Sequence, residues 1–150
     1  MADIKTPEER SRNMSRIRCS DTHPEVIFRK WLFSEGYRYS LGNRKIVGHP
    51  DLWMPKYNVA VFVHGCFWHR HRGCKYSYVP KSNEDYWLSK FEKNVARDTY
   101  VKQELSEKGI RFIVVWECTI KKMEKNAEVR KFILDRITNF MKSAVSSLEL

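Results

Sequence analysis

The run Val59-Ala-Val-Phe-Val-His-Gly-Cys-Phe-Trp-His-Arg-His-Arg-Gly-Cys74 leaves the chain few ways to fold. Its first five residues are apolar and rich in β-branched types, so they predict a buried strand from Val59 to His64. Gly65 breaks that strand. The loop behind it carries Cys66, His69, His71 and Cys74 together with Arg70, Arg72 and the Phe67-Trp68 pair. Cys66, His71 and Cys74 are spaced so that one loop can bend round a tetrahedral Zn²⁺, which wants four nitrogen or sulfur ligands. Cys118, expected at the end of a later apolar strand, is the natural fourth, with His69 as its competitor. The alternative is a Cys66–Cys74 disulfide, which a chain with no sign of export disfavours. Cys19 is left over as a free thiol.

Charge then says what the loop faces. The net charge is +10, which points to a polyanionic partner. Between Glu35 and Glu84 the only acidic residue is Asp51, set among Arg38, Arg44, Lys45, Lys56, Arg70, Arg72, Lys75 and Lys81. A lone carboxylate in such a basic stretch is a candidate for chemistry on phosphate. At 150 residues the chain is expected to be one domain with a substantial core. It has no apolar run long enough for a bilayer, and its first residues are polar and charged rather than a signal peptide. The expectation is a cytoplasmic protein with no membrane partner.

The remaining elements are read from caps and periodicity. Thr6-Pro7-Glu8-Glu9 predicts a helix start with a capping box, opening an arm that carries Arg10, Arg12, Arg16 and Arg18. Thr22 caps a helix with Ile27, Phe28, Trp31 and Leu32 on one stripe, ending at Gly36. Tyr37 to Ser40 and His49 to Met54 predict strands, and Pro55 to Asn58 a turn that makes Val59 to His64 a hairpin partner. Ser82 caps a long helix with Trp87, Leu88, Phe91 and Val95 in register, broken near Asp98 and resuming to Gly109. Ile110 to Trp116 predicts a central strand. A last helix over 127–144 places Val129, Phe132, Ile133, Ile137 and Phe140 on its stripe.

The hairpin brings Asp51 towards His64, with His69 just beyond. A carboxylate, histidines and cations on one rim suit metal-assisted phosphodiester cleavage, with Mg²⁺ on Asp51 and a histidine taking a proton from water. Pro50-Asp51 followed by a second strand resembles the PD-(D/E)xK nucleases, but Phe62-Val63-His64 stands where that motif has acid-x-Lys. With His-Gly-Cys-Phe-Trp-His-x-His and Val-Val-Trp-Glu-Cys downstream, the chain resembles the very short patch repair (Vsr) endonucleases. Arg10 to Met14, Asp21-Thr22, Gly48 to Asp51, Trp87-Leu88 and Lys93 to Val95 fall in the expected order, so the resemblance covers nearly the whole chain.

That resemblance implies an α/β, restriction-endonuclease-like fold: a mixed β-sheet flanked by helices, with a structural zinc site and a DNA-clasping arm over residues 1–20. It implies a monomer that nicks one strand of double-stranded DNA beside a T:G mismatch, the product of 5-methylcytosine deamination, with mismatch-repair proteins as further partners. Asp51 and the Val63 carbonyl would hold Mg²⁺, His69 would be the general base, and Glu25 and His64 would support them. Cys66, His71, Cys74 and Cys118 would hold Zn²⁺. Phe67, Trp68 and Trp87 would wedge into the duplex, with Met14, Lys90 and Asn94 as further DNA contacts. Arg72-Gly73 looks like a one-residue expansion of the family's metal loop. Two other readings share parts of this chemistry: a zinc-stabilised DNA-binding module without catalysis, and a nuclease without mismatch preference.

Overall fold

Alternating side chains on two parallel strands divide the protein into two cores. In β3 (Val59–His64), Val59 and Val61 point to one face, and Ala60, Phe62 and His64 to the other. In β4 (Arg111–Trp116), Ile113 and Val115 share the first face, while Phe112, Val114 and Trp116 share the second. Both faces are covered, which is why these strands read as unbroken apolar runs. The structure, a computed structural model, describes residues 6–9 and 21–150.

Among the described residues the elements run α1 (His23–Ser34), β1 (Ser40–Leu41), β2 (Leu52–Met54), β3, α2 (Glu84–Glu107), β4, α3 (Glu117–Lys125), α4 (Ala127–Lys142) and β5 (Ser147–Glu149). They form a five-stranded mixed sheet in the order β1-β2-β3-β4-β5, flanked by helices. β1, β2 and β3 pair antiparallel, whereas β4 and β5 join in parallel through the helical crossovers. The first face packs against α1, α3 and α4 through Phe28, Leu32, Ile120, Met123, Ile133 and Ile137. The second packs against α2 through Leu105 and Val101. No described helix is long and apolar enough to cross a membrane.

Several expectations hold at the level of single residues. The capping box closes, with the Thr6 amide donating to Glu9 Oε2 at 2.9 Å and the Glu9 amide to Thr6 Oγ1 at 3.2 Å. Gly36 comes after α1 with φ of 93° while the Tyr37 amide returns to the Leu32 carbonyl, the αL ending expected of a C′ glycine. The rest of the arm, including Met14, Cys19 and its four arginines, lies outside the described residues.

Others need correction. The strand expected from His49 begins only at Leu52, because Gly48 and His49 have φ of 84° and 50° and Pro50 has no amide to pair. The strand expected over 37–40 is the two-residue β1 at Ser40–Leu41. α2 has no break at Asp98: it runs unbroken for 24 residues, since the Asp98 side chain bonds to His69 instead of competing for its own backbone. Asn83, not Ser82, stands at the N-cap position, in an αL conformation and without a side-chain capping hydrogen bond. Leu88, Val95 and Phe132 were expected on buried stripes but are exposed, at 46%, 42% and 63%. Leu105, Leu134 and Met141 are among the apolar side chains that bury those faces instead. β4 is an interior strand, but β3 is the middle one. The last helix stops at Lys142, and β5, unforeseen, adds an edge strand behind it.

The loop before β2 is held by one close approach. A Cβ at Gly48 would lie 2.4 Å from Val101 Cγ1 on α2 and 3.2 Å from Phe62 Cε1. Valine's branched side chain has little freedom to retreat. Gly48→Ala is therefore expected to cost about 1–3 kcal/mol, from this overlap and the positive φ together. Urea denaturation, read as a lower midpoint at unchanged slope, checks it.

Candidate active site and metal centre

Asp51 sits one residue before β2 and lines a cleft of about 620 Å³ between the interior strands β3 and β4, α1 and α2. Its Oδ2 accepts the Val63 amide at 2.7 Å, so strand β3 fixes the carboxylate from behind. Burial pushes its acidity to a pKa of about 6. Val63 and His69 favour the ionised form, while Glu25 opposes it. Glu25, in the first turn of α1, is itself raised, mainly by burial, while its Oε2 accepts the Asp21 amide at 3.0 Å. Two partly buried carboxylates on one cleft are a donor set that a hard divalent cation would neutralise. The chemistry of this pair fits a hard divalent cation.

His69 lines the same cleft. Its Nδ1 lies 2.7 Å from Asp98 Oδ2 on α2. An ionised carboxylate can only accept, so Nδ1 carries a hydrogen, and in the neutral imidazole the lone pair is therefore on Nε2. That is the orientation a proton acceptor needs. His64 stacks flat on His69, with ring centroids 3.8 Å apart and planes within 4°. Burial lowers the His64 pKa to about 3, helped by His69 and Lys102 against Asp98. Its Nδ1 has no partner among the described atoms. His64, His69 and Asp98 bring ligand-capable atoms within 4.8 Å of one another. However, imidazole lone pairs lie in the ring planes, and in a flat stack they run side by side rather than converging. His64 is a neutral platform under His69.

The second group is separate. Cys66, His71, Cys74 and Cys118 each offer an atom within 4.8 Å of the others, and all three thiols are free, so the disulfide alternative does not apply. His71 Nδ1 lies 3.6 Å from Cys66 Sγ and 3.3 Å from Cys118 Sγ. The loop folds back on itself through the His71 amide to the Cys66 carbonyl and the Cys74 amide to the His71 carbonyl. Arg70 and Gly73, with φ of 57° and 72°, make the bends. His69 takes no part, because Asp98 draws it to the cleft. Cys118 is not at a strand end: it lies in the first turn of α3, which starts directly after Trp116. Burial pushes the Cys66 thiol up to about 12, with the neighbouring thiols crowding it further. Three thiols and an imidazole so placed are the chemistry of a divalent-metal site. His71 stacks on Trp116 at 4.3 Å, and His64 meets the same indole at 5.3 Å, so one tryptophan joins the metal loop to the cleft.

Phe67 and Trp68 belong to a half-buried aromatic cluster rather than standing alone. Phe67 meets Trp68, Tyr78, Trp87 and Phe91 at centroid distances between 5.0 and 5.5 Å. Trp68 lines the cleft, Lys90 lies over its ring at 5.6 Å, and Asn94 Nδ2 donates to its carbonyl at 3.0 Å. Arg70, counted by sequence with the basic surface, is turned inward. Its guanidinium donates to the carbonyls of Phe67, Ser77 and Tyr78 and lies 3.9 Å above the Phe91 ring.

Asp98 is the residue that sequence reasoning missed. A signal existed: Lys90, Asn94, Asp98 and Lys102 recur every fourth residue and so form one polar stripe, which faces the cleft. Glu117, Arg97 and Lys102 also line the cleft and were not singled out.

Known proteins resemble this chain along most of its length. The model of the family described as DNA mismatch endonuclease Vsr matches residues 2–75. The type II nicking enzyme V.NmeAIP of Neisseria meningitidis serogroup A is 43% identical over 145 residues, 97% of this chain and 100% of that protein. The type II nicking enzyme V.XorIIP of Xanthomonas oryzae is 42% identical over 120 residues, 80% of this chain and 88% of its own. The DNA mismatch endonuclease Vsr of Escherichia coli is 37% identical over 125 residues, 83% of this chain and 80% of its own.

Proposed function

The chain belongs to the Vsr family of DNA mismatch endonucleases, and from that membership and the cleft we propose that it nicks one strand of duplex DNA beside a T:G mismatch, with Mg²⁺ as catalytic cofactor. The observation that carries this reading is the convergence of Asp51, Glu25 and the Asp98–His69 pair in one cleft rimmed by Trp68. We read the mixed sheet as restriction-endonuclease-like and residues 1–20 as an arm that closes over the DNA. Such a protein works on the cell's own DNA in the bacterial cytoplasm.

Asp51 and Glu25 would hold Mg²⁺ together with the Val63 carbonyl, and the ion, when bound, would supply positive charge to the scissile phosphate. His69 takes the proton from the attacking water at Nε2. Asp98 holds the imidazole in the required tautomer and stabilises the charge it gains. Stacked below, His64 stays neutral and adds no second positive charge against that step. Cys66, His71, Cys74 and Cys118 would hold a structural Zn²⁺, which would tie the loop bearing His69 to the start of α3.

The aromatic edge supplies selectivity. Phe67 rests on Phe91 and Trp87, while Trp68 is carried at the cleft with a lysine over its ring. Inserting such a ring between base steps costs a few kcal/mol of unstacking, least where pairing is already weak. A T:G wobble is therefore entered more readily than a matched pair. Trp68→Ala is expected to lower the preference for T:G over matched duplex by about tenfold or more, while the urea midpoint moves little. Single-turnover nicking on both duplexes with Mg²⁺ measures this. If wild type nicks both equally, it is a nuclease without mismatch preference; binding without nicking marks a DNA-binding module.

A further inference from the structure

A second cleft, of about 360 Å³, adjoins the first and shares His64, His69, Asp98 and Lys102 with it as a common wall. Its opposite side is the metal loop, which contributes Arg72. The charges in it can be accounted for one by one. Asp98 is engaged by His69, and Glu149 accepts the Trp116 indole N–H at 2.7 Å. Arg70 spends its donors on backbone carbonyls. Arg72 and Lys102 take part in none of the ion pairs among the described residues. Both carboxylates are hydrogen-bonded yet remain anionic, but Arg70, Arg72 and Lys102 outnumber them. The cleft therefore keeps a net positive charge, carried by two cations with no ion-pair partner among the described residues.

We propose that this second cleft binds one backbone phosphodiester of the strand whose scissile phosphate occupies the first, with Arg72 and Lys102 as its cationic ligands. The inference rests on the nicking function proposed above. Successive phosphates on one strand advance only about 3.4 Å along the duplex axis. A strand that presents one phosphate to His69 thus has neighbouring phosphates close enough to reach across the wall the clefts share. Arg72 offers a planar fork of donors and Lys102 a compact charge, a combination suited to clamping a phosphodiester without reading its base. Lys102 stands one helical turn beyond Asp98 on α2, so a phosphate held there sets the strand against the helix that orients His69. The contact supplies affinity and register, not base selectivity.

The test is duplex binding measured by fluorescence anisotropy across a salt series, without Mg²⁺, on matched and T:G duplexes. The Arg72→Gln/Lys102→Gln variant is expected to flatten the salt slope by about 0.9, the value for one phosphate. It should weaken low-salt binding on the order of tenfold on both duplexes, leaving their ratio unchanged. The control is Lys131→Gln/Lys142→Gln, an equal charge change on α4, which packs on the other face of the sheet. A slope equal to the control's overturns the second cleft as a phosphate site, whereas a wild-type slope in Arg72→Lys/Lys102→Arg, which keeps both charges, supports it. Wild type that binds neither duplex counts against the nicking function itself, which keeps the two failures apart.

Discussion

In the Asp51→Asn variant, nicking is expected to vanish while the protein becomes more resistant to heat near neutral pH. The heat resistance comes from the burial of Asp51, and the loss of nicking from its missing negative charge. The Asp51 carboxyl has its ordinary pKa of 3.8 raised to about 6 in the folded protein. The folded state therefore holds the proton more tightly than the unfolded chain between those values. Stability falls as pH rises through this window, and above about 6 the full cost of an ionised, desolvated Asp51 is present. At about 1.4 kcal/mol per pH unit the gap corresponds to roughly 3 kcal/mol. Asparagine keeps an acceptor for the Val63 amide and removes the charge, so the variant is spared that cost. It also removes the anionic ligand that would hold Mg²⁺.

The thermal stability of wild type should thus fall between pH 4 and 6 relative to Asp51→Asn, in buffer freed of Mg²⁺ but without chelator. Added Mg²⁺ should raise the Tm of wild type at pH 7.5 and not that of the variant. Nicking should fall at least as far in Asp51→Asn as in His69→Ala, where losing a general base costs roughly 10²–10⁴-fold, with duplex binding retained in both. A variant that nicks at wild-type single-turnover rates would remove Asp51 from the chemistry. Equal pH dependence of Tm in both proteins would remove the burial argument.

The second large effect is expected from the cysteine-rich loop. Purified protein should contain one Zn²⁺ per chain, and Cys66→Ser should lose it. Cys66 is completely buried, its carbonyl accepts the Ser77 hydroxyl at 2.6 Å and the His71 amide at 3.0 Å, and its sulfur faces Cys118. Metal binding so placed is folding free energy for the loop that carries Phe67, Trp68, His69 and Arg70. The two sheet cores do not depend on it, apart from the share of Cys66, Cys74 and Cys118 in the second. The expected signature is local: loss of the near-ultraviolet circular dichroism of the Phe67–Trp68–Trp87 cluster and loss of nicking. Far-ultraviolet helix and strand signals should persist. A drop in Tm of about 10 °C or more, equivalent to a few kcal/mol in a chain this size, should accompany it. Elemental analysis without stoichiometric metal, or an intact aromatic signal in Cys66→Ser, would contradict the assignment.

Local sequence determined those parts of the protein in which neighbours along the chain interact. Unbroken β-branched apolar runs marked β3 and β4, caps marked the Thr6 turn and the Gly36 ending, and the spacing of Cys66, His71 and Cys74 brought three side chains able to hold a metal into one bend. Pro50-Asp51 before a strand pair was enough to place Asp51 beside β3, where it lines the cleft. Each depends on geometry within a few residues, which the chain carries wherever it goes.

Only the tertiary structure decided what meets across the sheet. Asp98 reaches His69 because α2 stays helical past the point where an aspartate suggested a break, and because packing of Val101 and Leu105 on the second face fixes the helix's rotation. Cys118 joins the metal group from a helix start that strand periodicity could not reveal, since an apolar run carries no mark of the element behind it. Arg70 turned from surface cation to loop staple when Phe91 offered a ring and three carbonyls offered acceptors. Leu88, Val95 and Phe132 had the right chemistry for burial, but the neighbouring elements cover other sides of their helices. Burial raises Asp51 and lowers His64, and desolvation is a property of the surrounding fold that no residue carries by itself.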